Sequence, residues 1–143
     1  MGLKRARLFA DGGARGNPGP AAAGFVLFEL DADGSLGPKI FEQGVYLGTA
    51  TNNQAEYSAI VYGLKKAKEL GIESIDVRLD SELAVKQLNG EYRVKNAKLA
   101  EYFLEIHNFK QKFREIRFSH VRREFNKEAD AMVNKAIDEA LGL

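Results

Sequence analysis

At Thr51 the spacing of apolar residues changes, and that change limits the folds open to this chain. Before it, three short segments have strand character: Lys4 to Ala10, Ala22 to Leu30 and Lys39 to Leu47, the last two joined through the turn residues Asp31-Ala32-Asp33-Gly34. After it, Glu56, Ile60, Leu64 and Ala67 fall on one helical face, and Gly71 marks the stop. Ile75, Val77 and Leu79 alternate as a fourth strand that ends at Asp80-Ser81, where a second helix begins. Ala97 to Phe109 reads as a third helix, with Ala100, Phe103, Leu104 and His107 along one side. Ile116, Phe118 and His120 give a fifth strand, and the charged loop Arg122-Arg123-Glu124-Phe125 leads into a last helix with Val133, Ala136, Ile137 and Ala140 on its apolar side. The order βββαβααβα predicts an α/β fold, a five-stranded mixed sheet flanked by helices. The first three strands form an antiparallel meander, and crossovers set the first, fourth and fifth strands parallel.

Residues 1–143 are expected to form a single domain, being enough for one sizeable core and too few for two. No run approaches the roughly 20 apolar residues of a membrane span, and Met1 to Ala10 has no apolar signal-peptide core. The Met1-Gly2 start has Ala6 where myristoylation needs Ser or Thr. The sequence has no cysteine, which excludes disulfides and thiolate metal sites and makes a cytoplasmic location the expectation. The net charge of +1 conceals an uneven distribution. Phe28 to Leu83 carries 10 acids and 5 bases, whereas Ala84 to Lys127 carries 11 bases and 5 acids. One region is thus suited to cations and another to phosphates, although a lopsided solvated surface would look the same.

Four acids stand at positions where each has an ordinary structural explanation. Asp11 ends the first strand, where Asp-Gly is a common turn pair. Glu56 fits the third helical position of a capping box opened by Asn53, although Thr51 with Gln54 fits the same spacing. Asp80 stands where an N-cap belongs, and Asp130 stands in the first turn of the last helix. Taken together the explanations weaken. Parallel neighbouring strands would bring Asp11 and Asp80 out side by side at one sheet edge, where ligands of open α/β sheets gather. The helices bearing Glu56 and Asp130 begin near the same ends. Four like charges in one place need cations between them, and hard oxygen ligands favour Mg²⁺ or Mn²⁺. Two such ions would serve phosphodiester cleavage without a histidine or serine nucleophile, and both His107 and His120 read as structural. The run Gly12-Gly13-Ala14-Arg15-Gly16-Asn17-Pro18-Gly19-Pro20 is too long for a tight turn, and its glycines leave backbone amides open to a ligand.

Asp11-Gly12-Gly13-Ala14-Arg15-Gly16-Asn17-Pro18-Gly19-Pro20, Thr51-Asn52-Asn53-Gln54-Ala55-Glu56, Asp80-Ser81 and Asn126-Lys127-Glu128-Ala129-Asp130 resemble, in type, order and spacing, the type 1 ribonuclease H family. The resemblance covers essentially the whole chain. It implies a ribonuclease H-like sheet of order 3-2-1-4-5 and hydrolysis of the RNA strand of RNA–DNA hybrids by two metal ions, giving 5′-phosphate and 3′-hydroxyl ends. Asp11, Glu56, Asp80 and Asp130 would be the catalytic residues and the ligands of two Mg²⁺ ions, with Mn²⁺ as a substitute. Gly12, Gly13, Asn17, Asn52, Asn53 and Gln54 would bind substrate near the 2′-hydroxyls, which amides can recognise as both donors and acceptors. One of Asn52 and Asn53 is also expected to cap its helix.

Two departures from the family pattern stand out. The loop Val121 to Phe125 lacks the histidine that many members carry before the last aspartate, leaving Glu124, Arg122 and Arg123 as candidate auxiliaries. In place of a long basic protrusion between the second and third helices there is only Asn89-Gly90-Glu91-Tyr92-Arg93-Val94-Lys95, so the hold on the DNA strand is expected to be smaller or elsewhere. Lys110-Gln111-Lys112-Phe113-Arg114 reads as solvated surface. The expected partner is an RNA–DNA hybrid bound by a monomer away from membranes, with double-stranded RNA as the alternative substrate. A noncatalytic hybrid-binding module would be expected to lack one of the carboxylates, and a purely structural domain would leave the glycine-rich run unexplained.

Overall fold

The computed structural model describes residues 4–143; Met1–Leu3, and with them the Met1-Gly2 reading, lie outside the described residues. Strands β1 (Arg5–Ala14), β2 (Gly19–Leu30) and β3 (Leu36–Ala50) form the antiparallel meander. They are followed by α1 (Asn52–Glu69), β4 (Ser74–Leu79), α2 (Glu82–Leu88), α3 (Ala97–Phe109), β5 (Glu115–His120), a single 3₁₀ turn (Arg123–Phe125) and α4 (Lys127–Leu141). The sheet order is β3-β2-β1-β4-β5, with β1, β4 and β5 parallel. Both the mixed α/β architecture and the order 3-2-1-4-5 are therefore as expected. Among the described residues no helix is long and apolar enough to cross a membrane.

The two faces of the sheet are covered unequally. On one, Leu8, Phe25, Leu27 and Val77 pack under Tyr57, Ile60 and Leu64 of α1 and Ile106 of α3. Burying each of these large side chains contributes about 1.5–3 kcal/mol. On the other, α4 sets Val133 and Ile137 against Ala22. Close approach of α4 requires Gly24, because a β-carbon there would lie 2.5 Å from the Ala129 carbonyl oxygen.

Three local expectations need correction. The first strand does not stop at Asp11-Gly12-Gly13: β1 continues through them, pairing Asp11 with Gly24, Gly12 with Ala23 and Gly13 with Ala22. The small residues of β2 let the ladder run on, so the true loop shrinks to residues 15–18. The cap of α1 is Thr51, not Asn52 or Asn53. Its hydroxyl accepts from the Gln54 N–H, and the Gln54 side chain accepts from the Thr51 N–H, closing a capping box. The buried side of α3 carries Leu99, Ile106 and Phe109, while Ala100, Leu104 and His107 are exposed. Two apolar stripes with the same spacing compete on that helix, and the one facing α1 is buried. Ala140 is exposed as well, in the last turn of α4.

Candidate active site

The parallel ladder between β1 and β4 ends at the pair Ala10 and Leu79. Asp11 and Asp80 are the next residue on each strand, so the topology alone brings the two carboxylates together. Glu56 arrives by a different route. A β-carbon on Gly12 would lie 2.1 Å from the Ala55 carbonyl carbon and 2.3 Å from the Glu56 nitrogen. Only a bare backbone lets the first turns of α1 press against β1, and that approach carries Glu56 to the Asp11 edge. Asp130 is brought in by Asn126, which is 1% exposed. The Asn126 amide donates to the Ala10 carbonyl (2.9 Å) and to Asp80 Oδ2 (3.1 Å), and its own backbone carbonyl accepts from the Asp130 N–H (3.1 Å). One buried residue thus ties β1 next to Asp11, the residue after β4 and the first turn of α4.

The four carboxylates line one cleft of about 500 Å³ together with Gly12, Gly13, Asn52, Arg123 and Asn134. Among the described residues none of the four is ion-paired with lysine or arginine. Burial, then the charge of Asp80, then the Asp130 carboxyl beside it push Asp11 up to about 8, against a smaller opposing pull from the Gly12 backbone. Glu56 is raised to about 7, chiefly by burial, with the Ser81 hydroxyl lowering it and the Asp80 charge adding to the rise. Among the described residues no three such side chains are already drawn in as closely as a bound ion would hold them.

Around the cleft, the expected amides interlock. Asn52 Oδ1 accepts from the Ala14 N–H (2.8 Å), and Asn17 Oδ1 accepts from the Asn52 N–H (3.0 Å). With Gln54 Oε1 used in the capping box, three amide oxygens are occupied and their NH₂ groups remain to donate. Asn53 is exposed and beside them. Of the predicted amides, Asn52 lines the cleft itself; Asn17 is joined to it through the Asn52 N–H, and Asn53 and Gln54 flank it in sequence without lining the cleft. The space of a Gly12 side chain is taken by α1, so its bareness serves packing; at Gly13 the nearest atom would be Val133 Cγ1 at 3.6 Å, leaving its backbone accessible.

The three candidate auxiliaries separate. Arg123 lines the cleft. Glu124 instead borders an apolar cavity of about 470 Å³ with Phe9, Phe28 and Phe125, and pairs with Arg122 at 3.6 Å on the surface. His107 lies on the exposed face of α3 and His120 ends β5, and neither lines the cleft. Sequence reasoning gives no role to Asn126 or Asn134. The available signal for Asn126 is a polar residue at the start of the last helix, four before Asp130; for Asn134 it is the spacing of Asp130, Asn134 and Asp138 at intervals of four.

Residues 9–136 match the family model described as reverse transcriptase-like. A ribonuclease HI of Halobacterium salinarum is 39% identical over 136 residues, covering 95% of this chain and 66% of that protein. The chain therefore spans just under two thirds of that relative, and 35% of a bifunctional Mycobacterium tuberculosis protein to which it is also 39% identical. The solved N-terminal RNase H domain of a Mycobacterium tuberculosis protein superposes with a TM-score of 0.88 at 37% identity, over 97% of each chain. LC11-RNase H1, solved in complex with an RNA/DNA hybrid, superposes with a TM-score of 0.86 at 40% identity, over 95% of this chain and 99% of that one. With its sheet order, its convergent carboxylates and these likenesses, the chain belongs to the reverse transcriptase-like family and, within it, to the type 1 ribonucleases H.

Proposed function

We propose that this chain is an endoribonuclease that hydrolyses the RNA strand of RNA–DNA hybrids, leaving 5′-phosphate and 3′-hydroxyl ends. The observation that carries the reading is the convergence of Asp11, Glu56, Asp80 and Asp130, from separate parts of the chain, on one cleft bordered by Asn52 and Gly13. The hybrid bound to the LC11 relative supports the substrate class. The donor set fits Mg²⁺, with Mn²⁺ as a substitute. All four donors are hard carboxylates, and two are held well above their usual range by burial and neighbouring charge that a cation would relieve. Asp11, Glu56, Asp80 and Asp130 would hold two ions, which when bound make water a better nucleophile and stabilise the leaving oxygen.

The remaining tasks fall to the chain's own groups. Asn126 steadies Asp80 by donating to its Oδ2, which leaves Oδ1 without that bond. The NH₂ groups of Asn17, Asn52 and Gln54 offer donors to 2′-hydroxyl oxygens, while the exposed Asn53 keeps both functions. Arg123 provides the positive charge that the missing loop histidine leaves unfilled, a guanidinium suited to a phosphate. Glu124 faces the apolar cavity and takes no part. One copy of the chain holds the complete site, consistent with action as a monomer.

The test is parallel digestion of a labelled hybrid, a double-stranded RNA and an all-DNA duplex of one sequence, each with Mg²⁺ or with chelator. Cleavage confined to the RNA strand of the hybrid, and abolished by chelator, is expected. Comparable cutting of DNA would overturn the assignment, and preferential cutting of double-stranded RNA would transfer it to the alternative substrate.

A further inference from the structure

Arg15 lies in the short loop between β1 and β2, beside Asn17, and its side chain turns toward α4. Its Nη2 lies 2.7 Å from Asp138 Oδ1 and 3.5 Å from Asn134 Oδ1. Asn134 in turn donates to the Asp130 carbonyl (3.2 Å) and to Asp130 Oδ2 (3.4 Å). Asp130, Asn134 and Asp138 are spaced by four, so they stack along one face of α4. The loop is also closed on itself, since the Arg15 N–H donates to the Pro20 carbonyl (2.8 Å). Its other flank is held by Asn52, which is four residues before Glu56 on α1. The loop is therefore anchored on each side to a residue one helical turn from a cleft carboxylate.

We propose that Arg15 is a positioning residue: by bracing the loop against Asn134 and Asp138 it holds the substrate-facing Asn17 and the Asp130 carboxylate in one register. This rests on the functional reading above and adds a coupling to it, between grip on the nucleic acid and arrangement of the metal-binding carboxylates. A single guanidinium nitrogen, Nη2, meets both acceptors on successive turns of α4, the Asp138 carboxylate closely and the Asn134 amide oxygen at its limit of reach. Release of Arg15 frees the loop and also removes the donor that keeps Asn134 turned toward Asp130.

Arg15→Ala, Asn134→Ala and the double variant are compared with wild type in two titrations that need no turnover: a fluorescent hybrid in chelator, and Mg²⁺ alone read by thermal shift. Each single variant is expected to weaken both the hybrid Kd and the Mg²⁺ midpoint by about three- to fivefold, the scale of one exposed ion pair. The double variant is expected to be no worse than the weaker single, because both substitutions break one chain of interactions. Arg15→Lys, which keeps the charge on a shorter side chain, is expected to recover part of both affinities. A shift in hybrid affinity with an unchanged Mg²⁺ midpoint would reduce Arg15 to a local loop tether and overturn the proposal. So would effects that multiply in the double variant. Melting of the ion-free variants checks folding, and if Asn134→Ala melts early, Asp138→Asn loosens the brace from its far end. Failure of wild type to cut the hybrid would sink the functional reading instead, while the two titrations still decide the brace.

Discussion

Asp11 is caught between two demands, because the burial that shapes the cleft also opposes its charge. Its carboxyl is pushed up to about 8 and that of Glu56 to about 7, whereas in the unfolded chain the two titrate near 3.8 and 4.5. Between those limits the folded, ion-free protein holds protons that the unfolded chain has released. The contribution of these two groups to stability is therefore full below the unfolded values and is lost as pH rises toward 8. Asp76 works the other way. Although its own burial opposes ionisation, Arg78 and Arg7 hold it below the usual range, so its contribution fades as pH falls through that depressed value. In chelator, melting should thus occur at higher temperature near about pH 5 than near about pH 8.5. Asp11→Asn should remove much of that difference, stabilising the ion-free protein by about 1–3 kcal/mol at the higher pH while abolishing cleavage. An Asp11→Asn variant as unstable at the higher pH as wild type would show that the burial of this carboxyl carries no such strain. Asn126→Ala makes the complementary case. It strips the Ala10 carbonyl of its buried donor and should cost about 1–3 kcal/mol by denaturant midpoint, with a fall in kcat beyond the reduced folded fraction because Asp80 is no longer held.

Glycine positions set how the elements meet. Gly12→Ala places a methyl group into the Ala55–Glu56 backbone, so α1 must lift from β1. A loss of about 3 kcal/mol or more is expected, together with a drop in kcat, because Glu56 moves with the helix. Gly13→Ala meets nothing nearer than 3.6 Å and should keep its stability while raising KM, as its methyl group borders the cleft. Equal destabilisation of the two variants would contradict the packing argument. The same close approaches explain what a sequence can and cannot reveal. The strands, the helix at Ala97 to Phe109 and the parallel run of β1, β4 and β5 are legible because alternation, helical spacing and crossover handedness are local or topological signals. The continuation of β1 through Gly12 and Gly13 is not, because a glycine pair reads as a bend unless its partner strand and covering helix are known. The competing capping boxes at Thr51 and Asn53 share one spacing, and only the fold chooses between them. All four carboxylates are legible as candidates because parallel pairing brings Asp11 and Asp80 out together where the β1–β4 ladder ends, Asp130 stands in the first turn of α4, and Glu56 is a charge on the apolar face of α1. Asn126, Asn134 and the separation of Arg123 from Glu124 depend on side-chain direction, which no periodicity carries.

Across the whole molecule, the uneven charge divides by distance from the carboxylates. Lys110–Arg114 precedes β5, and the Arg114 N–H donates to the Glu73 carbonyl at the start of β4. Those are the opposite ends of the parallel strands from Asp11 and Asp80, so a strand length of roughly 20 Å separates that basic segment from the cleft. Of its lysines, Lys112 is engaged with the molecule's own Phe109, its Nζ 5.1 Å from the ring centroid. Arg122 and Arg123, by contrast, stand at the carboxylate end of the sheet, Arg123 in the cleft lining. Phosphate charge and 2′-hydroxyl recognition thus come from different residues and should separate experimentally. Arg122→Ala with Arg123→Ala should weaken hybrid binding and lower the salt slope by roughly one for each phosphate no longer neutralised, leaving the RNA strand as the one cut. Asn53→Ala should leave the slope intact and narrow the preference for hybrid over DNA, since both duplexes offer phosphates and only one offers the extra donor and acceptor. Neutralising Lys110, Lys112 and Arg114 together should change neither, if distance decides. Binding of hybrid and DNA duplex is measured across salt concentrations for each variant, with the labelled strand followed in parallel. Loss of strand selectivity in the arginine variant alone would move recognition away from the asparagines, and a flattened slope in the Lys110–Arg114 variant would place part of the duplex on the far end of the sheet.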